Sequence, residues 1–375
     1  MKWHRVSISS IAEINPSIPK KYIPASSDEV TFLSMSAVGE DGLLDASATK
    51  AFRSVSKGYT QFCRNDVLLA KITPCMENGK ATVLSDIPTS VGCGSTEFHV
   101  IRANEDVYPR YLFHLIWNEP FRHLAARNMT GSAGQKRVPK SFLQAVKIPL
   151  PFKNGKPDLD EQKRIAAILD KADAIRRKRR QALQLTDDFL RSLFLDMFGD
   201  PVTNPKGWDR VTLKQIIKVS SGKGLTAKMM TGGGLHPVYG GNGINGYHDE
   251  YMFEDSTIIL GRVGAYCGAV HLTEPKSWVT DNALYVRKLT DGINSTYLMN
   301  ALKFLNLNQH AGRAAQPLIS GSRIYPIEIN MPPERLQNKY DQIVTSVSRI
   351  VTKSESLKVS DLFASLQQGA FAGEL

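Results

Sequence analysis

Hydrophobic positions fall into two kinds of pattern along this chain. In two stretches they recur mostly at every third, fourth or seventh residue. Elsewhere they form short clusters broken by glycine, proline and polar residues. Residues 159–198 carry Ile165, Ile168, Ala172, Ile175, Ala182, Phe189 and Leu193 in this register, with no proline or glycine to interrupt it. The spacing predicts a helix with a heptad-like apolar seam. Residues 336–368 repeat it with Ile343, Val347, Ile350, Leu357 and Leu366, and Phe198 and Phe371 close the two segments in similar ways. At ~1.5 Å per residue each helix is roughly 50–60 Å long. Such a seam needs a partner, and the other helix is the expected one. A two-fold-like arrangement runs them antiparallel, as a rod that holds apart the parts at its ends.

The short clusters read differently. Residues 30–38, 66–72 and 95–102 are rich in β-branched and aromatic side chains and predict strands, as do 256–263 and 283–289. Residues 108–118 predict a helix with Tyr111, Leu112, Leu115 and Ile116 inward, and 295–305 predict another.

These patterns occur twice in the same order. The pattern W-x-R-V-[ST]-[IL]-x-x-I begins at Trp3 and again at Trp208. Gln135, Val138, Ser141, Leu143, Val146, Ile148 and Pro151 correspond to Gln316, Ile319, Ser322, Ile324, Ile327, Ile329 and Pro332 at a constant offset. A long helix follows each proline exit. The expected fold class is therefore α+β: two α/β units separated by two long helices in an antiparallel coiled coil, related by a pseudo-two-fold. The expected boundaries are 1–152, 153–200, 201–332 and 333–375.

Charge sharpens this picture. With 47 Lys and Arg against 36 Asp and Glu, the formal net charge is +11, which favours a polyanionic partner, nucleic acid first. Residues 161–180 hold eight basic and three acidic side chains, including the run Arg176-Arg177-Lys178-Arg179-Arg180. That run suits a solvated face, a protein partner or a DNA backbone. The four cysteines form no C-x-x-C pair, which speaks against structural zinc. With no apolar leader and no apolar run of ~18 residues, the chain reads as cytosolic, with reduced thiols and no membrane partner.

Polar, Gly-rich loops supply the candidate chemistry. One spans Lys71–Lys80, the other Tyr239–Tyr247. Arg and Lys suit phosphates and guanine edges, Asn and Gln pair with adenine, and glycine allows close backbone approach. Enzyme motifs fail. There is no P-loop sequence, and Asn204-Pro205-Lys206-Gly207-Trp208 lacks the second proline of an amino-methyltransferase loop. Pro157-Asp158 and Glu161-Gln162-Lys163 stand too close together for a nuclease site. Asp158 and Asp160 read instead as acids at a helix N-terminus.

Leu159–Asp170 after the IPLP exit, and Met197-Phe198-Gly199-Asp200-Pro201 before Trp208, resemble the conserved regions of type I restriction–modification specificity subunits. Residues 70–82, 94–102 and 129–139 resemble one class of target recognition domain, and 237–247, 261–270 and 316–329 another. The resemblance covers nearly the whole chain. It implies a non-catalytic chain whose two recognition domains each read one half of a split double-stranded DNA site through the major groove. The DNA-binding residues it points to in the first domain are Lys71, Thr73, Asn78, Lys80, Ser95, Thr96, Gln135, Lys136 and Arg137. In the second they are Lys223, Tyr239, Asn242, Asn245, Arg262, Tyr266, Asn282, Arg313, Gln316 and Ser322. From the basic run, Arg176, Arg177, Arg179 and Arg180 are the candidate partner-binding residues. The implied partners are two modification (methyltransferase) subunits, which supply S-adenosylmethionine, and restriction/translocase subunits, which use ATP and Mg; no cofactor is expected on this chain. The sequence opens directly on the first reader, so closure between the ends is expected from packing of the two helices. Rival readings are a stand-alone DNA methyltransferase or nuclease fused to a reader, and a coiled-coil scaffold that binds protein.

Overall fold

The computed structural model describes residues 2–132, 134–230, 234–312, 317–355 and 359–374. The chain divides into two compact units, Met1–Arg180 with Leu357–Leu375, and Gln181–Ser356.

Unit 1 opens with β1 (Lys2–Ser7), α1 (Ile8–Ile11) and β2 (Ala12–Ile14). Next come β3 (Glu29–Leu33), β4 (Thr49–Ala51), α2 (Phe52–Val55), β5 (Thr60–Cys63) and β6 (Val67–Ala70). β7 (Ala81–Val83), β8 (Val91–Gly94), β9 (Phe98–Ala103), α3 (Pro109–Trp117), α4 (Glu119–Arg127) and α5 (Lys140–Ala145) follow. β10 (Lys147–Lys153) and β11 (Lys156–Pro157) lead into α6 (Leu159–Phe198), whose first part belongs to unit 1 and last part to unit 2. Unit 2 continues with β12 (Arg210–Thr212), α7 (Leu213–Ile216), β13 (Ile217–Ser221), β14 (His236–Gly240), β15 (Gly243–His248) and β16 (Ile258–Gly261). β17 (Val270–Leu272), β18 (Trp278–Val279), β19 (Ala283–Leu289), α8 (Ser295–Phe304), α9 (Gly321–Ile324), β20 (Glu328–Asn330) and α10 (Glu334–Glu355) complete it. α11 (Val359–Ala372) returns to unit 1.

Both units have the same frame. In unit 1 an antiparallel sheet has the order β2-β9-β6-β7; in unit 2 the order is β13-β19-β16-β17. A second sheet contains one parallel pair in each unit, β3 with β8 and β14 with β18. The central strand is buried on both faces and alternates accordingly. Val67 and Leu69 of β6 face a core shared with α3 and α6, whereas Leu68 and Ala70 face the core of the second sheet. In β16, Ile258 and Leu260 face the helices, and Ile259 packs with Tyr239 and Val279 of the second sheet.

Repeated hydrogen bonds tie each helix layer to its strands. Tyr111 of α3 donates its hydroxyl to the Pro149 carbonyl (3.0 Å), and Tyr297 of α8 donates to the Asn330 carbonyl (2.7 Å). Those two acceptors occupy matching places, because Arg5 pairs with Pro149 and Arg210 with Asn330. Gln162, buried in the first turn of α6, accepts from the Tyr108 N–H (2.8 Å) and donates to the Asp106 carbonyl (3.0 Å). Gln337 in α10 accepts from the Asn294 N–H (2.8 Å) and donates to the Gly292 and Pro332 carbonyls.

The expected apolar seam is altered in one respect. Ile175 is 61% and Phe189 52% exposed. The buried stripe is confined to Ile165, Ala166 and Leu169 in unit 1 and to Phe194 and Phe198 in unit 2, because the apolar surface of α3 and α8 meets the helices only there. Over 336–368 the described residues are helical, in α10 up to Glu355 and in α11 from Val359; residues 356–358, with Leu357 of the expected seam, lie outside the described residues.

Candidate nucleic-acid interface

At the end of each central strand three loops are laced together by main-chain hydrogen bonds. In unit 1 the Lys71 N–H donates to the Glu97 carbonyl (2.9 Å), and the Lys71 carbonyl accepts from the Val138 N–H (2.8 Å). One residue on, Ile72 bridges Arg137, and the Thr73 N–H donates to the Lys136 carbonyl (3.0 Å). In unit 2 the Arg262 N–H donates to the Asn282 carbonyl (2.9 Å), and the Arg262 carbonyl accepts from the Ile319 N–H (2.9 Å). Val263 then bridges Leu318. Val138 and Ile319 are themselves equivalent in the sequence repeat, so Lys71 and Arg262 stand at the same node of the same weave. Each unit thus presents one cation at the exit of its central strand.

The weave in unit 1 collects most of the residues singled out there. Lys71, Thr73, Ser95, Thr96, Gln135, Lys136 and Arg137 lie on its three segments, with Thr96, Gln135 and Lys136 exposed. Arg137 is held in place: its Nε and Nη2 donate to the two carboxylate oxygens of Glu97 (2.9 and 2.8 Å). These bonds hold the Glu97 carboxyl below the usual carboxylate range. Beneath the loops His99 Nε2 donates to the Val138 carbonyl (2.8 Å), and burial pushes its imidazole below its ordinary value. Asn78 and Lys80 turn elsewhere. Asn78 donates to Glu40 (2.8 Å), and Lys80 Nζ donates to the Met35 carbonyl (3.2 Å). Their contacts in this structure are with the segment after β3 rather than with the weave.

In unit 2, Arg262 Nη1 donates to Ser221 Oγ (3.0 Å), while its buried Nε has no partner. Asn282 supplies a weave carbonyl and is exposed; Lys223, whose carbonyl accepts from Trp278 Nε1 (3.1 Å), is exposed as well. Asn242 and Asn245 lie exposed at the β14–β15 hairpin. Asn245 folds over Gly240, where a Cβ would stand 2.1 Å from its side-chain nitrogen. Tyr266 is exposed beside the strand exit, its carbonyl so close to Gly261 that a Cβ would come within 2.1 Å. Ser322 is exposed at the start of α9, its hydroxyl 2.8 Å from that of Ser320. Tyr239 departs from expectation. It is only 5% exposed, packs on Ile259 and Val279, and accepts from the Glu274 N–H through its hydroxyl (3.0 Å). It supports the hairpin from within, because its ring completes the core between the two sheets. Arg313 and Gln316 lie outside the described residues.

The basic run on α6 is less free than its sequence implies. Arg176 and Arg177 bond to the buried Asp173 (2.7 and 3.3 Å), and the Arg176 guanidinium also lies over the rings of Trp117 and Phe363. Arg179 is half-buried and Arg180 exposed. Glu97, Gln162 and Gln337 were not singled out from the sequence. A lone acid in the otherwise uncharged loop 94–97, and a glutamine in the first turn after each proline exit, are the signals that could have found them. Among the described residues no group of three or more His, Cys, Asp or Glu could hold a metal ion, and no helix is long and apolar enough to cross a membrane.

Two α/β units on one repeated frame, each carrying a laced loop cluster with a basic node, define a class of internally duplicated proteins. Residues 1–185 and 205–359 match the family described as Type I restriction modification DNA specificity domain, and the chain belongs to that family. It is similar to the Type I restriction enzyme EcoAI specificity subunit of Escherichia coli, 39% identical over 166 residues, a match that covers 44% of this chain and 26% of that protein. Over 356 residues it is 25% identical to the EcoprrI specificity subunit of Escherichia coli, covering 89% of this chain and 86% of that one. Its fold resembles that of a type I restriction–modification S subunit from M. genitalium, with a TM-score of 0.63 and 16% identity over 99% of this chain and 96% of that one.

Proposed function

We propose that this chain is the specificity subunit of a type I restriction–modification complex and that each unit reads one half of a bipartite DNA site through the major groove. The repeated weave carries this reading. It places Lys71 and Arg262 at one node of one frame while the exposed side chains around them differ: Thr96, Gln135 and Lys136 in unit 1, Asn242, Asn245 and Tyr266 in unit 2. A common frame with different reading groups suits a site whose halves differ. Lys and Arg also meet phosphates and give binding its salt dependence. The chain itself contributes no bond-making step. S-adenosylmethionine belongs on modification subunits, and ATP and Mg on restriction subunits, both of which the chain docks. Membership of the family favours this reading over a stand-alone methyltransferase or nuclease.

The test is methylated-site mapping in cells that carry the chain and its modification subunit. The expected result is one split adenine-methylated sequence, of which Lys71→Ala alters one half and Arg262→Ala the other. Methylation by the chain alone, or an unsplit site, would overturn the proposal. If α6 sets the gap between the half-sites, four residues inserted after Gln181 add about 6 Å. The gap should then grow by one or two base pairs at ~3.4 Å each, and an unchanged gap in an active variant would reject α6 as its determinant.

A further inference from the structure

Unit 1 contains a cavity of about 970 Å³ that the proposed DNA reading does not use. Trp117, Phe121, Phe363 and Phe371 line it, and Arg5, Arg122, Lys147, Arg176 and Arg180 stand around it. Gln367 also lines it. This side chain is 8% exposed, and its buried Nε2 has no hydrogen-bond partner. A buried donor without an acceptor is costly and rare in folded proteins. It marks a place where an acceptor oxygen is wanted.

The matching place in unit 2 is closed. Tyr111 meets Phe371 edge to face as Tyr297 meets Phe198, so Gln367, four residues before Phe371, corresponds to Phe194. Phe194 is fully buried, with Tyr297, Phe304, Tyr340 and Phe198 around it. The charge differs as well. Lys147 corresponds to Glu328, which pairs with Arg210 at 3.8 Å in unit 2. In unit 1 the equivalent Arg5 has a second cation in place of that acid and donates to the Lys147 carbonyl (3.0 Å). Unit 1 thus replaces a filled, neutral site with an open, basic and aromatic one.

We propose that this cavity docks one acidic peptide segment of a partner protein, an apolar side chain packing on Trp117, Phe363 and Phe371 while a carboxylate meets Gln367 and the surrounding cations. Arginine clusters recognise acidic motifs in this way, and a buried aromatic wall supplies the anchor. Glu40, Asp41 and Glu119 on the same lining disfavour a nucleic-acid backbone, which would bring a charge at every residue. Because Phe194 fills the matching place in unit 2, the segment binds unit 1 and not the equivalent place in unit 2. The inference does not depend on DNA reading.

The test is fluorescence anisotropy on the full chain at low salt. The probe is a labelled, otherwise neutral peptide with one glutamate on each side of a single phenylalanine. It should bind saturably, and a version with glycine in place of the phenylalanine should bind at least about tenfold more weakly. Gln367→Phe, which copies unit 2, and Lys147→Glu should each weaken the probe by about tenfold or more, whereas Glu328→Lys should leave it unchanged. Arg180→Glu, at an exposed position, decides the matter should Gln367→Phe fail to fold. No saturable binding, equal binding by the glycine version, indifference to Lys147→Glu and Arg180→Glu, or displacement of the probe by a short DNA duplex would overturn the proposal.

Discussion

In unit 2, Phe194 lies at the centre of an aromatic cluster; at the corresponding place in unit 1 stands Gln367, with its amide unpaired beside a cavity. Around that difference almost everything else is shared: the antiparallel sheet, the buried tyrosine that bonds to the exit strand, the glutamine that fastens the first turn of the long helix, and the laced loops. The groups that repeat satisfy buried main-chain atoms, whose geometry tolerates no substitute. The groups that differ face solvent, ligand or an unfilled space. Repetition therefore marks the frame, and divergence marks what each unit is for.

Truncating the centre of the aromatic cluster should separate the units most. Phe194→Ala should cost about 3–5 kcal/mol through the cavity it leaves, whereas Gln367→Ala, which removes an unpaired group, should change stability by less than about 1 kcal/mol. Amide hydrogen exchange resolves the two units, and equal loss of protection in both would break the comparison.

The fastening glutamines should behave alike. Gln162→Leu and Gln337→Leu each strand buried main-chain groups and should cost about 1–3 kcal/mol, felt in unit 1 and unit 2 respectively. Protection factors at Tyr108 and Asn294 report them directly. A neutral result for either would mean that the shared bond is not a support.

On the proposed function, Lys71→Ala and Arg262→Ala should be symmetric in size and opposite in address. Each should cost about 1–3 kcal/mol in DNA binding if a base contact is lost, as measured on sites with one half-sequence scrambled at a time. A uniform loss across all sites, with a shallower salt dependence, would instead assign both residues to phosphates.

Acid should produce the mildest separation. Burial pushes His99 and His114 in unit 1, and His271 in unit 2, below the ordinary histidine value of 6.5. Below about 6.5 the unfolded state therefore binds more protons than the folded one, so stability is complete above that pH and declines as pH falls. Unit 1 carries the more deeply enclosed histidines and should lose exchange protection first. His114→Gln should narrow the difference, and its persistence would place the cause elsewhere.

Much of this architecture was legible in the sequence. The matches from Trp3 to Trp208 and from Gln135 to Gln316 locate the paired exit strands, and the stretch without proline or glycine over 159–198 is a single helix. The seam was less legible. Ile175 and Phe189 fit the heptad but lie exposed, because period alone does not say which turns another element covers. Loop composition named Lys71 and Arg262, yet it could not separate Lys136, on the weave, from Lys80, which is fastened to the Met35 carbonyl. Nor could it show that Tyr239 points into the core, since a tyrosine before a glycine run suits a turn and a buried strand equally well.

The lacing bonds around Lys71 and Arg262 run between main-chain N–H and carbonyl groups. Every residue except proline brings both groups whatever its side chain. Loop side chains on this weave can therefore be exchanged without withdrawing the bonds that hold the loops. On the proposed reading, new sequence preferences arise by single substitutions that leave the fold intact, and a half-site changes in one unit while the other keeps its own. The same provision accommodates Lys at one node and Arg at the other, because the lacing bonds at both are made by the main chain.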